Sequence, residues 1–145
     1  MDSMLLESPE MVSLAEEILG GGHTLRFRAP GQSMHPLIQD GDILEVQPWN
    51  GEALQRGQVI LYRSAGNRLV AHRVVDMRQD EQGEIIFTGG YQARSTGLQP
   101  VRPKQVLGKV VRIERNGRTR RVNSASHRIF SALWALLAKT RSRFL

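Results

Sequence analysis

The chain has 145 residues, 40% of them hydrophobic and 23% charged, which suffices for one domain with its own core and is ordinary for a globular protein. It contains no cysteine, which excludes disulfides and thiol chemistry, and no run of roughly 18 apolar residues of the kind that spans a bilayer. The net charge of +6 is unevenly spread: residues 101–145 carry 12 basic residues against one acid, Glu114, giving +11, whereas residues 1–100 carry 8 against 13, giving −5. A basic tail can meet anionic lipid or nucleic acid, or simply be solvated. No helix-turn-helix pattern is present, so no specific nucleic-acid binding is expected. Met1 to Met4 lacks a basic stretch leading into an apolar run, so no signal peptide is expected, and the expected location is cytoplasmic or peripheral at the membrane.

In chain order, Ser8-Pro9-Glu10-Met11 is a helix start, with Ser8 as cap and Pro9 at the first helical position. Val12, Ala15, Ile18 and Leu19 give it a short apolar face, and Gly20-Gly21-Gly22 ends it. Thr24 to Ala29 alternates apolar and polar, the pattern of a half-buried strand. Ile43 to Gln47 is the next strand, followed by a turn at Pro48-Trp49-Asn50-Gly51 in which Trp49 covers core. Val59 to Arg63 and Arg68 to Asp76 flank a hairpin connection at Ser64-Ala65-Gly66-Asn67. Gln79 to Gly83 reads as a polar turn, Glu84 to Thr88 as a strand and Gly89 to Pro103 as a loop. Gln105 to Arg115 and Arg118 to Asn123 form a hairpin around Asn116-Gly117, the strongest short turn signal in the chain. From Ser126 the pattern changes to Ile129, Phe130, Leu133, Trp134, Leu136 and Leu137, an apolar helical surface bracketed by Arg128, Lys139, Arg141 and Arg143. The expected organisation is a single domain: an N-terminal helix within residues 1–22, a mainly β domain over 24–123 and a C-terminal amphipathic helix over 126–145.

The stretch with most chemistry lies between the first two strands. Ser33 follows Gly31-Gln32 and precedes Met34-His35-Pro36, and Gly41-Asp42 turns the chain into the next strand. Gly31 permits a turn or close approach, and Pro36 prevents a regular strand or helix from continuing. A serine held on such a bend is exposed and fixed in direction, as an attacking nucleophile must be; it is equally what an ordinary loop serine looks like.

The pattern G-x-S-M-x-P followed by G-D resembles the nucleophile segment of the signal peptidase I and LexA-type self-cleaving repressor superfamily. Three further pieces share the likeness. Arg56-Gly57-Gln58-Val59-Ile60-Leu61-Tyr62 is similar to that superfamily's "G-D-hydrophobic" strand, with Gln58 in place of the acid. Leu69-Val70-Ala71-His72-Arg73-Val74-Val75 resembles the strand whose histidine is the general base in the archaeal and endoplasmic-reticulum signal peptidases. Val106-Leu107-Gly108-Lys109-Val110-Val111 resembles the "hydrophobic-G-K-V" strand near the end of such domains. The resemblance covers about residues 24–115. It implies an all-β domain of coiled antiparallel sheets. Such peptidases usually carry a transmembrane anchor, which is not seen here.

It also implies a serine endopeptidase without metal or cofactor that cleaves a leader or precursor peptide. Ser33 would attack, and His72 would take its proton and return it to the leaving amine. A strand histidine can also be merely satisfied in a core. A Ser–Lys pair is disfavoured, because no lysine lies in residues 1–100 and Lys109 falls in the later strand, where it reads as structural. The backbone N–H of Ser33 could hold the oxyanion. Gly31, Gln32, Met34 and His35 would line the oxyanion site and substrate groove, and Gly31 stands where many signal peptidases have a helping Ser or Thr. Gly90 occupies the place of the acid that orients the histidine. Asp76 is a substitute candidate: four residues after His72 on one strand, it should share the same face, roughly 13 Å away. The alternative is a module that keeps the fold and peptide groove but is catalytically impaired. A peptide or precursor protein is the expected partner, and the C-terminal helix packs on the domain or attaches it to a membrane surface or protein partner.

Overall fold

The computed structural model describes residues 9–29, 34, 37–90 and 97–122. Ser33, Gly31, Gln32 and His35 lie outside the described residues, as do the Ser8 cap and the expected C-terminal helix. Helix α1 spans Pro9–Gly20 and buries Val12, Ala15 and Leu19, the face its spacing predicts. Among the described residues eight strands follow: β1 Leu25–Arg28, β2 Ile43–Pro48, β3 Val59–Arg63, β4 Leu69–Asp80, β5 Gly83–Gly89, β6 Gln99–Val101, β7 Val106–Arg115 and β8 Arg118–Arg121. They form one antiparallel sheet in the order β1-β2-β7-β3-β4-β5-β6, with β8 paired to β7. Thus β7 has β2 along one edge and β3, then β8, along the other.

Strand β3 shows how the core is divided. Val59 and Leu61 belong to an apolar cluster with Ala15 and Leu19 of α1, Met34, Leu44, Val46, Val110 and Ile113. Ile60 and Tyr62 belong to a second cluster with Leu54, Val74, Ile86, Val101 and Val106. Successive side chains of a strand point to opposite faces, so Val-Ile-Leu-Tyr is buried on both sides and sits centrally. Trp49 packs against the second cluster, as expected, and its Nε1 donates to Glu52 O at 2.8 Å.

Two elements differ from the sequence reading. Strand β4 runs on to Asp80, leaving only Glu81-Gln82 between the strands, with Gly83 at φ +112°. The polar run over 79–83 looks like a turn, but it is an exposed strand end whose Asp80 is bound by Arg102. The expected loop over 89–103 contains β6. Pro100 argues against a strand only where its missing N–H would be needed, and β6 is the edge of the sheet, where prolines are tolerated. The Asn116-Gly117 turn forms as expected, with φ of 53° and 75°, both in the left-handed region that a two-residue hairpin needs.

One buried polar contact ties the second cluster together. Thr88 Oγ1 donates to the Tyr62 hydroxyl at 3.0 Å and lies 3.3 Å from Gln99 O. Burial pushes the Tyr62 hydroxyl above its ordinary pKa, more than the Thr88 bond pulls it down. Thr88→Val should cost about 1–3 kcal/mol, because it strands a buried hydroxyl, whereas Tyr62→Phe leaves Thr88 its Gln99 contact and should cost less. Urea unfolding reads the difference; a midpoint for Thr88→Val equal to the parent's would contradict this account.

Candidate active site

The loop from Ala29 to Asp42 is closed at its neck by backbone bonds. Ala29 N donates to Asp42 O at 2.7 Å, and Gly41 N donates to Ala29 O at 2.8 Å. Gly41 has φ +91°, which glycine adopts at least cost. Inside the neck, Met34, Leu37 and Ile38 are buried in the first cluster, and Ile38 N donates to Met34 O at 3.0 Å. Ala29 and Met34, on either side of position 33 in the sequence, are thus each tied into the domain. Met34, expected along the groove, is buried in the first cluster, where an apolar side chain is more stable than in water.

His72 occupies the middle of β4. It pairs with Ile60 of β3, Ile60 with Lys109 of β7, and Lys109 with Gln47 of β2, so the four form one row on the face of the second cluster. The imidazole is half-buried, and its Nδ1 is shielded from solvent. Burial, and then the positive charge of neighbouring Arg73, holds its pKa below the ordinary 6.5. The shift favours the uncharged ring, the form in which it can accept a proton. Arg73 is buried and faces the other way, opposite Val59 of the first cluster.

Asp76 does not share His72's face. The β4–β5 register shifts between Val74 and Asp76: Val74 pairs with Thr88 and Asp76 with Phe87, leaving Val75 as the extra residue. A bulge of one residue inverts the alternation beyond it. Val74 and Met77, three apart, accordingly both pack on the second cluster, and Asp76 turns to the opposite face. There it is held by Arg56 Nη2 at 2.9 Å and Arg78 Nε at 3.0 Å. The Arg56 bond, first among several, draws its pKa down. The structure thus does not bring Asp76 to the histidine. The bulge leaves no signal in Val74-Val75-Asp76, which reads as regular strand.

Lys109 shares the His72 face but is engaged elsewhere. Its Nζ lies 2.9 Å from Glu52 Oε1 of the loop after β2. Gln58, at the place of an acid, accepts a bond from Gln55 N at 2.9 Å through Oε1. That contact needs an acceptor and no charge, so an amide serves. The interaction that sequence reasoning missed is on Asp42. Its carboxylate, 2% exposed, accepts from Gln39 N at 2.8 Å and from both Nε and Nη2 of Arg115, at 2.9 and 2.7 Å. Burial alone would raise the Asp42 pKa; the Arg115 and Gln39 bonds outweigh it and hold it low. No sequence signal links positions 42 and 115, because they meet only through the sheet.

No family model matches the chain, and neither does any curated protein.

Proposed function

We propose that this chain is a serine endopeptidase resembling signal peptidase, in which Ser33 is the nucleophile and His72 the general base. The observation that supports it most is His72 itself: a half-buried imidazole, its Nδ1 shielded from solvent, on the strand that the sequence pattern assigns to the base. The closed neck of the 29–42 loop supports it too, since a nucleophile must be held in place. The substrate would be an extended segment of a precursor, bound by strand addition. The apolar stretch 129–138, flanked by basic residues, would attach the domain to an anionic membrane surface or a protein partner. Among the described residues, no helix is long and apolar enough to cross a membrane.

A second reading, a peptide-binding module without turnover, is favoured by Gly90 at the acid's place and by Asp76 facing away. A library of precursor-like peptides with small residues at the expected cut separates the two. Fragments seen by mass spectrometry support the peptidase; binding without fragments supports the module.

The depressed pKa of His72 sets a sign. A base works when neutral, so cleavage should be lost as pH falls through the folded-state pKa, which lies below 6.5. Folding stability moves the same way: the unfolded chain binds the proton first as pH drops below 6.5, which weakens the fold down to the folded-state pKa. A pH–rate profile with its acid limb centred above about 8 would instead point to an amine base.

A further inference from the structure

The turn that leads from the Ser33 loop into β2 is used three times among the described residues. Asp42 N donates to Gln39 O at 3.0 Å, and the Asp42 carboxylate accepts from Gln39 N at 2.8 Å. Gln58 N donates to Gln55 O at 3.2 Å, and Gln58 Oε1 accepts from Gln55 N at 2.9 Å. Gln105 N donates to Arg102 O at 2.9 Å, and Gln105 Oε1 accepts from Arg102 N at 2.8 Å. Each turn introduces a strand. Two of the three are made by an uncharged amide, so the turn itself does not require the negative charge at position 42.

That charge is met by Arg115. The guanidinium engages both carboxylate oxygens, a fork that fixes orientation as well as distance. Arg115 Nη2 also donates to Leu37 O at 3.2 Å, and Arg120 Nη2 reaches the same oxygen at 3.2 Å. Two arginines of the β7–β8 hairpin thus converge on one carbonyl of the loop. The path from there to Ser33 is short: Ile38, next to Leu37, donates to Met34 O, and Met34 adjoins Ser33.

We propose that Arg115 is a positioning residue of the serine site, fixing the 29–42 loop against the β7–β8 hairpin through Asp42 and Leu37. The proposal rests on the peptidase reading for its consequence in catalysis, but not for its effect on the loop. The test uses the full chain with Asp42→Asn, which keeps a turn acceptor, and Arg115→Lys, which keeps the charge but not the fork. Two readouts are taken well below the unfolding temperature: the rate at which a fluorophosphonate probe labels Ser33, and amide hydrogen exchange in residues 29–42 against residues 69–89. Both variants should label at least about tenfold more slowly, since small misplacements of a reacting group are costly. Exchange should rise in 29–42 and stay unchanged in 69–89. Parent-like labelling and exchange would overturn the proposal, as would exchange rising equally in both segments, the mark of a pair that only stabilises the fold. If the parent takes no label, the peptidase reading fails, and exchange alone decides: a selective rise in 29–42 upholds the clasp, and its absence overturns it.

Discussion

Ser33→Ala and His72→Ala are each expected to lower peptide cleavage by at least about three orders of magnitude, with the double variant little worse than either. Residues that act as a unit lose their joint effect once one is gone. The structure supplies the contrast. Lys109 lies on the same face as His72, and its ammonium is held by Glu52 at 2.9 Å. Lys109→Ala should therefore keep turnover. The loss of a half-exposed ion pair should cost less than about 1 kcal/mol of stability. Initial rates on one cleavable peptide, with circular dichroism confirming the fold, check all four proteins. A folded but inactive Lys109→Ala would shift the base role from histidine to lysine.

The largest expected effect on stability comes from a single added methyl group. Gly108 lies in β7 where β2 and β3 both press on it, opposite Pro48 and Leu61. A Cβ there would stand 2.6 Å from Val46 Cγ1 and closer still to Gln47 O. Val46 is fully buried, and the Gln47 contact is backbone, so neither neighbour can swing aside. Relief requires β2 to move off β7. Gly108→Ala should thus cost at least the roughly 1–3 kcal/mol typical of overpacking. Gly66→Ala is the matched control: its nearest neighbour would be Ser64 Oγ at 3.8 Å, ordinary contact. Thermal unfolding of both variants checks the prediction, and equal midpoints would contradict it.

The sequence discloses local structure well where one physical signal dominates. Val59 to Arg63 reads as a strand because an apolar run bounded by turn residues has few other uses, and the strand has those bounds. Asn116-Gly117 reads as a hairpin because two successive left-handed residues tolerate little else. What stays hidden depends on partners distant in sequence. The bulge at Val75 is a matter of how β4 meets β5, and it alone sends Asp76 to the wrong face. The edge position that lets Pro100 sit in a strand is a property of the whole sheet. Asp42 reads as half of a Gly-Asp turn; that its charge belongs to Arg115 emerges only when β7 returns beside β2. The candidate site follows the same rule. Ser33 and His72 are each suggested by a local pattern, 39 positions apart, and their pairing is the part that no local pattern carries.

Covalent labelling tests that pairing most directly. The full chain is treated with a fluorophosphonate probe at neutral pH, digested, and the adduct located by mass spectrometry, with His72→Ala in parallel. A serine activated by His72 gives one adduct per chain, at Ser33, whose formation is slowed by at least about a hundredfold in His72→Ala. An adduct on another residue, no adduct on the folded chain, or a Ser33 adduct that forms as fast without His72 would contradict the assignment.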